Sequence, residues 1–260
     1  MADWNPALYR RFEDERTRPA RELLGRVPLA QCKLAYDLGC GPGNSTELIV
    51  ERFPQARVVG VDNSPAMLES ARQRLPKTPF ELADIAHWQP EQAPDLIYSN
   101  ATLHWVPGHE ALVARLFSLL APGGVLAVQM PDNLDEPSHR LMREVAAIDT
   151  LRSHCTQTGQ TGTRTELLGP GGYYDVLAPV AASVDVWRTT FNHPMASAAA
   201  IVEWVSSTGL KPFLEALDGD EARKAFLAEY ERRIDAAYPA RADGKRLLAF
   251  PRLFFVAVKK

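Results

Sequence analysis

The fold of this chain is decided by the stretch at residues 34–46, LAYDLGCGPGNST. An apolar segment ends on the acid Asp37, glycine follows at positions 39, 41 and 43, and polar residues able to cap a helix come next. This order is typical of a β-strand that turns into a helix at a ligand site, because glycine permits a sharp turn and a close approach of the ligand. Taken alone, a glycine triplet is also compatible with a tight turn that binds nothing.

The first half of the chain alternates strand and helix patterns around this stretch. Strands are predicted at 33–38, 57–61, 79–83, 95–99 and 125–130, and helices at 44–53, 64–74 and 109–120. Such alternation indicates βαβ units and a parallel sheet, so we predict a doubly wound α/β domain.

The second half departs from this alternation. Helices are predicted at 139–148, 198–207 and 220–237, and strands at 184–190 and 247–258. The helices between the last two strands read as an insertion. A glycine-rich polar segment, 156–172, predicts a mobile surface loop.

The composition is that of a soluble globular protein. Of 260 residues, 46% are hydrophobic and 23% charged, and the net charge of -3 provides no global field for nucleic acid or an acidic membrane. Cys32, Cys40 and Cys155 have no CxxC spacing, so we expect neither a disulfide framework nor a metal site. There is no signal-like or membrane-spanning apolar run, which predicts a cytoplasmic protein without a nucleic-acid or membrane partner.

One carboxylate, that of Asp62, indicates which class of ligand the glycine loop binds. Asp62 ends the second predicted strand, 19 residues beyond Gly43, where an acid can accept both hydroxyls of a ribose. The G-x-G-x-G spacing differs from the dinucleotide pattern G-x-G-x-x-G, and no phosphate-binding lysine follows. A nucleoside is therefore expected and a pyrophosphate is not. The alternative is that Asp62 only terminates the strand or caps the next helix.

Five segments in order, DLGCGPGNST, VDNSPAMLESAR, ADIAHW, NATLHW and LAPGGVLAV, resemble the motif series of class I S-adenosylmethionine-dependent methyltransferases. The resemblance implies a Rossmann-like, mostly parallel seven-stranded sheet with helices on both faces and a helical insertion before the last strand. Segments towards both ends, such as MADWNPALYRRFEDERTRPARELL and LLAFPRLFF, resemble the carboxyl methyltransferases of this class that esterify trans-aconitate or a related polycarboxylic acid. This resemblance implies one domain, 1–260, with an N-terminal helical lid (1–30), a cofactor core (31–130) and a substrate side (131–260).

The same resemblance implies where S-adenosylmethionine binds. The glycine loop faces its amino-acid part, the acid after the second strand its ribose, and the residues after the third strand its adenine. The implied contacts are Tyr9, Arg18, Asp37, Gly39, Gly41, Asn44, Asp62, Asn63, Met67, Asp84, Ile85, Asn100 and Ala101. Met67 is equally compatible with the core, and Asp37 with a structural strand-end acid.

The chemistry of the acid substrate suggests further candidates. A carboxylate is already ionised at neutral pH, so methyl transfer needs no general base and catalysis is mainly positioning. Arginine suits the spare carboxylates because its guanidinium forms paired bonds to them. The candidate substrate contacts are Arg16, His104, Trp105 and Gln129. Each of these residues has an alternative role without substrate contact. Arg16 could lie on a solvated helix, His104 and Trp105 could pack within a loop, and Gln129 could cap a turn.

The remaining cations and aromatic residues have competing interpretations. Residues 4–18, with Trp4 and Tyr9, form a lid over the cofactor or pack on the sheet. Arg188 and Arg252 on the late strands either face the substrate or, as the favoured interpretation, form structural ion pairs. Rival functions are methylation of another small acid, non-catalytic binding of the cofactor in a regulator, and nicotinamide-linked oxidoreduction, which the glycine spacing disfavours.

Overall fold

The computed structural model describes residues 13–148, 151, 166–206 and 209–260, with side chains from Thr17 onward. The strands are β1 (Leu34–Leu38), β2 (Arg57–Asp62), β3 (Phe80–Leu82), β4 (Leu96–Asn100), β5 (Val125–Pro131), β6 (Ala181–Met195) and β7 (Arg246–Lys259). The helices are α1 (Glu13–Gly25), α2 (Asn44–Arg52), α3 (Pro65–Arg74), α4 (His109–Ser118), α5 (Pro137–Ala146), α6 (Gly169–Leu177), α7 (Ala198–Ser206), α8 (Lys211–Glu215) and α9 (Asp220–Ala237), with a short 3₁₀ turn at Leu103–Trp105.

The seven strands form one sheet in the order β3-β2-β1-β4-β5-β7-β6. β1 to β5 pair in parallel, and β7 pairs antiparallel to β5. The predicted mostly parallel, doubly wound seven-stranded sheet is confirmed. Because β1 and β4 are neighbours although β2 and β3 lie between them in sequence, the strand order reverses there, and ligands bind at such a switch point in open α/β sheets.

By its internal contacts the chain divides into two compact units. One comprises Met1–Pro131, Arg164–Thr189 and Arg252–Lys260, and the other Asp132–Thr163 and Thr190–Pro251, as far as the structure describes them. The first holds the five parallel strands and the second holds α7, α8 and α9, the helices between the last two strands. The division of the chain into lid, core and substrate side stays a prediction.

The prediction of a loop over 156–172 is wrong at its C-terminal end, where α6 begins at Gly169; residues 152–165 lie outside the described residues. Glycine and proline give this segment little intrinsic helix propensity. Its packing compensates, because Tyr173 and Leu177 are fully buried. The Tyr173 ring stacks on Phe255, and its hydroxyl lies 2.6 Å from His109 Nε2.

Only the C-terminal part of the segment predicted to form a lid lies within the described residues. Trp4 and Tyr9 lie outside the described residues, but the C-terminal half of α1 is packed on the sheet: Ala20 and Leu23 are buried, and Tyr98 donates a 2.7 Å bond to the Ala20 carbonyl. Helix α1 runs through Pro19, and the neighbouring Arg18 is exposed. This part of the segment is a covering helix of the sheet.

Candidate functional site

A cleft of about 340 Å³, open to solvent, lies where β1 and β4 end. The glycine loop after β1, the start of α2, the end of β4 and one side of α1 surround it. Its lining residues are Thr17, Ala20, Gly39, Cys40, Gly41, Pro42, Asn44, Ser45 and Asn100. Four of these, Gly39, Gly41, Asn44 and Asn100, are predicted site residues. Thr17 and Ala20 carried no motif, because only the packing of α1 brings them to the cleft.

The backbone amides of the glycine loop are bonded to the protein itself. The N–H groups of Gly39 and Cys40 donate to the Val61 carbonyl at 2.7 and 3.0 Å, and that of Gly41 donates to Asp62 Oδ2 at 2.9 Å. Anion-binding loops instead direct such amides at the ligand. Here the donors face β2, which agrees with the absence of a pyrophosphate motif.

The buried polar atoms left without a partner around the cleft are acceptors. Asp37 Oδ1, Asn44 Oδ1 and Asn100 Oδ1 are buried and have no hydrogen-bond partner among the described residues. Asp37 Oδ2 accepts 2.7 Å bonds from the hydroxyls of Ser45 and Thr46. Since buried acceptors are stabilised by donors, this cleft suits a ligand with a cationic, donor-rich group such as an ammonium.

Burial perturbs the carboxyl group of Asp37. Its pKa is raised from 3.8 to about 6, chiefly by burial and further by the charge of Asp62, against the lowering effect of the bonds from Thr46 and Ser45. A cationic ligand beside this group favours its ionised form. The ionised carboxylate of Asp37, one residue before the end of β1, is thus a group that a cation would stabilise.

Asp62 has a structural task besides its predicted one. Its Oδ2 accepts from Gly41 N–H and its Oδ1 accepts from Ser64 N–H at 2.9 Å, so it ties the end of β2 to the glycine loop and to the start of α3. Each carboxylate oxygen has two lone pairs and can accept more than one hydrogen bond, so this structural role is compatible with the predicted one.

Asp62→Ala is expected to weaken cofactor binding about ten- to a hundredfold, because hydrogen bonds to a charged group contribute about 1.5–3 kcal/mol. Asp95→Ala is the matched control: Asp95 is equally half-buried and its carboxylate accepts from two backbone amides, Lys33 and Leu34, at the start of β4. Calorimetric titration with S-adenosylhomocysteine should show the loss in Asp62→Ala alone. Equal affinities for the two variants would remove Asp62 from the binding site.

A row of polar residues continues across the sheet from β4. Asn100 pairs in register with Gln129 on β5, Gln129 with Phe254 on β7, and Arg252 stands two residues before Phe254. Because paired residues share a face of a sheet and side chains alternate, Asn100, Gln129 and Arg252 project from the same face. Gln129 and Arg252 are buried, and Arg252 Nη1 donates to Gln129 Oε1 at 3.2 Å. The bond to Gln129 joins Arg252 to a neutral amide, and the ion pair expected for Arg252 stays a prediction.

The other predicted residues occupy varied surroundings. Tyr9, and the side chain of Arg16, lie outside what the structure describes, while Arg18, Asn63, Asp84 and Arg188 are exposed. Met67 and Ile85 are buried, and Ile85 belongs to the main hydrophobic cluster. Beyond β4, Ala101 has a left-handed backbone (φ 56), and its N–H donates to the Gln129 carbonyl at 2.9 Å. His104 is buried, with its ring centroid 4.8 Å from that of Trp105.

Two common accessory features are not found in the described part of the chain. None of the helices found there is long and apolar enough to cross a membrane. Nor do three or more histidine, cysteine, aspartate or glutamate side chains in the described ranges come together in a group that could hold a metal ion.

Solved structures of methyltransferases share this fold. A putative methyltransferase from Bacillus halodurans has a TM-score of 0.58 at 10% identity, over 93% of this chain and 99% of that chain. A phosphoethanolamine N-methyltransferase 2 of Haemonchus contortus, solved with S-adenosyl-L-methionine, has a TM-score of 0.54 at 18% identity, over 93% of this chain and 52% of that chain. A family model described as a methyltransferase domain matches residues 35–124. Fold and motifs thus define the class of methyltransferases.

Curated relatives narrow this class. The trans-aconitate 2-methyltransferase of Variovorax paradoxus is 66% identical over the full length of both chains. That of Methylobacterium radiotolerans is 65% identical over 100% of this chain and 99% of its own, and that of Rhodopseudomonas palustris is 55% identical over the full length of both. This chain belongs to the trans-aconitate 2-methyltransferase family.

Proposed function

We propose that this protein transfers the methyl group of S-adenosylmethionine to a carboxylate of trans-aconitate or a close polycarboxylate, giving a monomethyl ester. The observation that carries the proposal is the acceptor-lined cleft at the end of β1 and β4, which suits the cationic amino-acid end of this cofactor. The full-length similarity to trans-aconitate 2-methyltransferases supports the choice of acid.

The cofactor, when bound, supplies a methyl group activated by the sulfonium. In the proposal, Asp37 and Asn44 accept from its amino group, since both carry unpartnered buried acceptors. Asp62 with the adjacent Asn63 holds the ribose, and Asn100 and Ala101 lie towards the sulfonium. Met67, Asp84 and Ile85 form the adenine side, and Tyr9 and Arg18 remain proposed contacts from the N-terminal segment.

The transfer itself asks the protein for placement. The attacking carboxylate is ionised above about pH 5 and needs no base, so holding it in line with the methyl group supplies the rate enhancement. Arg16, His104, Trp105 and Gln129 are the proposed contacts to the acid. The left-handed backbone of Ala101, fixed by its bond to the Gln129 carbonyl, sets the turn that follows Asn100 between cofactor and acid.

The rate at saturating cofactor and acid is expected to be flat between about pH 6.5 and 8.5, because no proton moves to the protein in the step. Single-turnover kinetics across this range, which exclude product release, test it. A rate that rises with an apparent pKa near 7 and loses that dependence in His104→Ala would reveal an acid–base step and contradict the proposal.

The rival functions predict different outcomes of one assay. The protein is incubated with methyl-labelled S-adenosylmethionine and a panel of mono-, di- and tricarboxylic acids, and ester formation is followed. Preference for trans-aconitate supports the proposal, preference for another small acid corrects the substrate, and tight cofactor binding without any ester favours a regulator. A nicotinamide oxidoreductase is disfavoured because the pyrophosphate of its cofactor would need the glycine-loop N–H groups as donors. In this protein those N–H groups already donate to Val61 and Asp62.

A further inference from the structure

We propose that Arg252 is the cation that binds a non-reacting carboxylate of the acid substrate, and that Gln129 positions it and donates to the same carboxylate. The inference rests on the proposed function and names the residues on which its substrate class depends. No motif of the methyl-transfer core includes Arg252, which lies on the last strand.

The first argument is placement. β7 runs antiparallel to β5, so the early residues of β7 lie at the edge of the sheet where β5 ends, and Arg252 pairs in register with Pro131 at that end. The same edge carries the ends of β1 and β4 and the cleft between them. Arg252 shares a face of the sheet with Gln129 and Asn100, and Asn100 lines the cleft.

The second argument is charge. Asp37 pairs in register with Tyr98, two residues before Asn100, so its side chain lies on this same face. The polar row therefore has an anionic residue on β1, amides on β4 and β5 and a cationic residue on β7. A cationic group of the cofactor is stabilised at the β1 end, and an anionic substrate at the β7 end. Both end residues are buried, where charges interact more strongly than in water.

The third argument is the donor geometry at Gln129. Its Oε1 accepts from Arg252 Nη1, which fixes the side-chain amide with Nε2 as the donor on its other side. Gln129 is fully buried, and Nε2 has no hydrogen-bond partner among the described residues. A guanidinium beside an amide N–H provides several convergent donors, the arrangement that binds a carboxylate. A spare carboxylate held there leaves the reacting one free to attack the methyl group.

Gln129→Glu is the sharpest test. Glutamate keeps the shape of the side chain and retains a bond to Arg252, so the pairing of β5 and β7 persists. Its negative charge, however, repels the acid and competes with it for the Arg252 guanidinium. The KM for trans-aconitate should rise at least about tenfold, which corresponds to the loss of hydrogen bonds to a charged group. Thermal stability and the affinity for S-adenosylhomocysteine should stay at the wild-type value. A purely structural role for both Gln129 and Arg252 predicts an unchanged KM.

Arg252→Gln and Arg252→Lys complete the experiment, with Arg57→Gln as the matched control, since Arg57 is exposed at the start of β2 on the opposite edge. Arg252→Gln should raise KM by about tenfold or more and Arg252→Lys should recover part of the loss, because lysine keeps the charge without the fork. If KM in Gln129→Glu remains wild-type, the inference is overturned, even if Arg252→Gln fails to fold. A wild-type protein that methylates no acid would instead contradict the proposed function.

Discussion

Replacing Asp37 by asparagine is expected to stabilise the unliganded protein and to weaken its cofactor complex. Asp37 is fully buried, and burial raises the pKa of its carboxyl group from 3.8 to about 6. A raised pKa in the folded state means that stability is fully present below about pH 4 and is lost as the pH rises through about 6. At pH 7 the ionised carboxylate therefore costs about 3 kcal/mol, since one pKa unit is about 1.36 kcal/mol.

The asparagine variant removes this cost together with the charge that a cationic ligand needs. We expect its free energy of unfolding at pH 7 to exceed that of the wild type by up to about 3 kcal/mol, and its dependence on pH between about 4 and 7 to be shallower. Its affinity for S-adenosylmethionine should fall about ten- to a hundredfold. Denaturant unfolding at several pH values and calorimetric titration measure the two effects.

Asp95→Asn serves as the control for Asp37→Asn, because Asp95 lies at the opposite edge of the sheet and should leave cofactor affinity unchanged. A variant of Asp37 that binds the cofactor as the wild type does would show that its carboxylate is only structural. If the free energy of unfolding of Asp37→Asn depended on pH as that of the wild type does, the assignment of the buried charge to Asp37 would be contradicted.

Gly39→Ala is expected to abolish cofactor binding. It should also lower the free energy of unfolding by several times the cost of placing alanine in a left-handed backbone conformation. Gly39 has φ +73, and a Cβ there would lie 2.2 Å from both Cγ2 and Oγ1 of Thr102. Thr102 is itself bonded to the Gly39 carbonyl and the Asn100 carbonyl, so relief of the overlap displaces both the loop and the end of β4.

Gly123→Ala isolates the part of this effect that is due to the overlap. Gly123 has φ +75, and a Cβ there would have nothing within 4 Å. It should cost only the left-handed conformation, about 1–2 kcal/mol, and leave cofactor affinity intact. Thermal unfolding and calorimetric titration of both variants provide the comparison. Similar losses in the two would mean that the close approach of Gly39 to Thr102 is unimportant.

The parts of this fold that follow from local patterns could be predicted from the sequence. The helix Asp220–Ala237 has the predicted bounds, and Ser64 caps α3 as expected, its Oγ accepting from Met67 N–H at 3.2 Å. Glycine spacing, strand-end acids and helix caps act within a few residues, so the sequence displays them directly. The same local signals include Gly39, Gly41 and Asn44, which line the cleft, while their role in cofactor binding stays a prediction.

The parts that depend on distant pairing could not be predicted. Gln129 and Arg252 meet because of the register between β5 and β7, across 123 residues of sequence. Thr17 reaches the cleft because α1 packs on the sheet, and α6 forms in a glycine-rich segment because Tyr173 and Leu177 are buried. In each case tertiary contacts outweigh local propensity, and a single sequence does not contain those contacts explicitly.

The central claim is that this protein esterifies one carboxylate of trans-aconitate. The most direct measurement is mass spectrometry and NMR of the product formed from trans-aconitate and methyl-labelled S-adenosylmethionine. The account predicts a single monomethyl ester, formed in equal amount to S-adenosylhomocysteine. Cofactor consumption without a methyl ester of the acid, or no turnover of either compound by protein that binds S-adenosylhomocysteine, would contradict it.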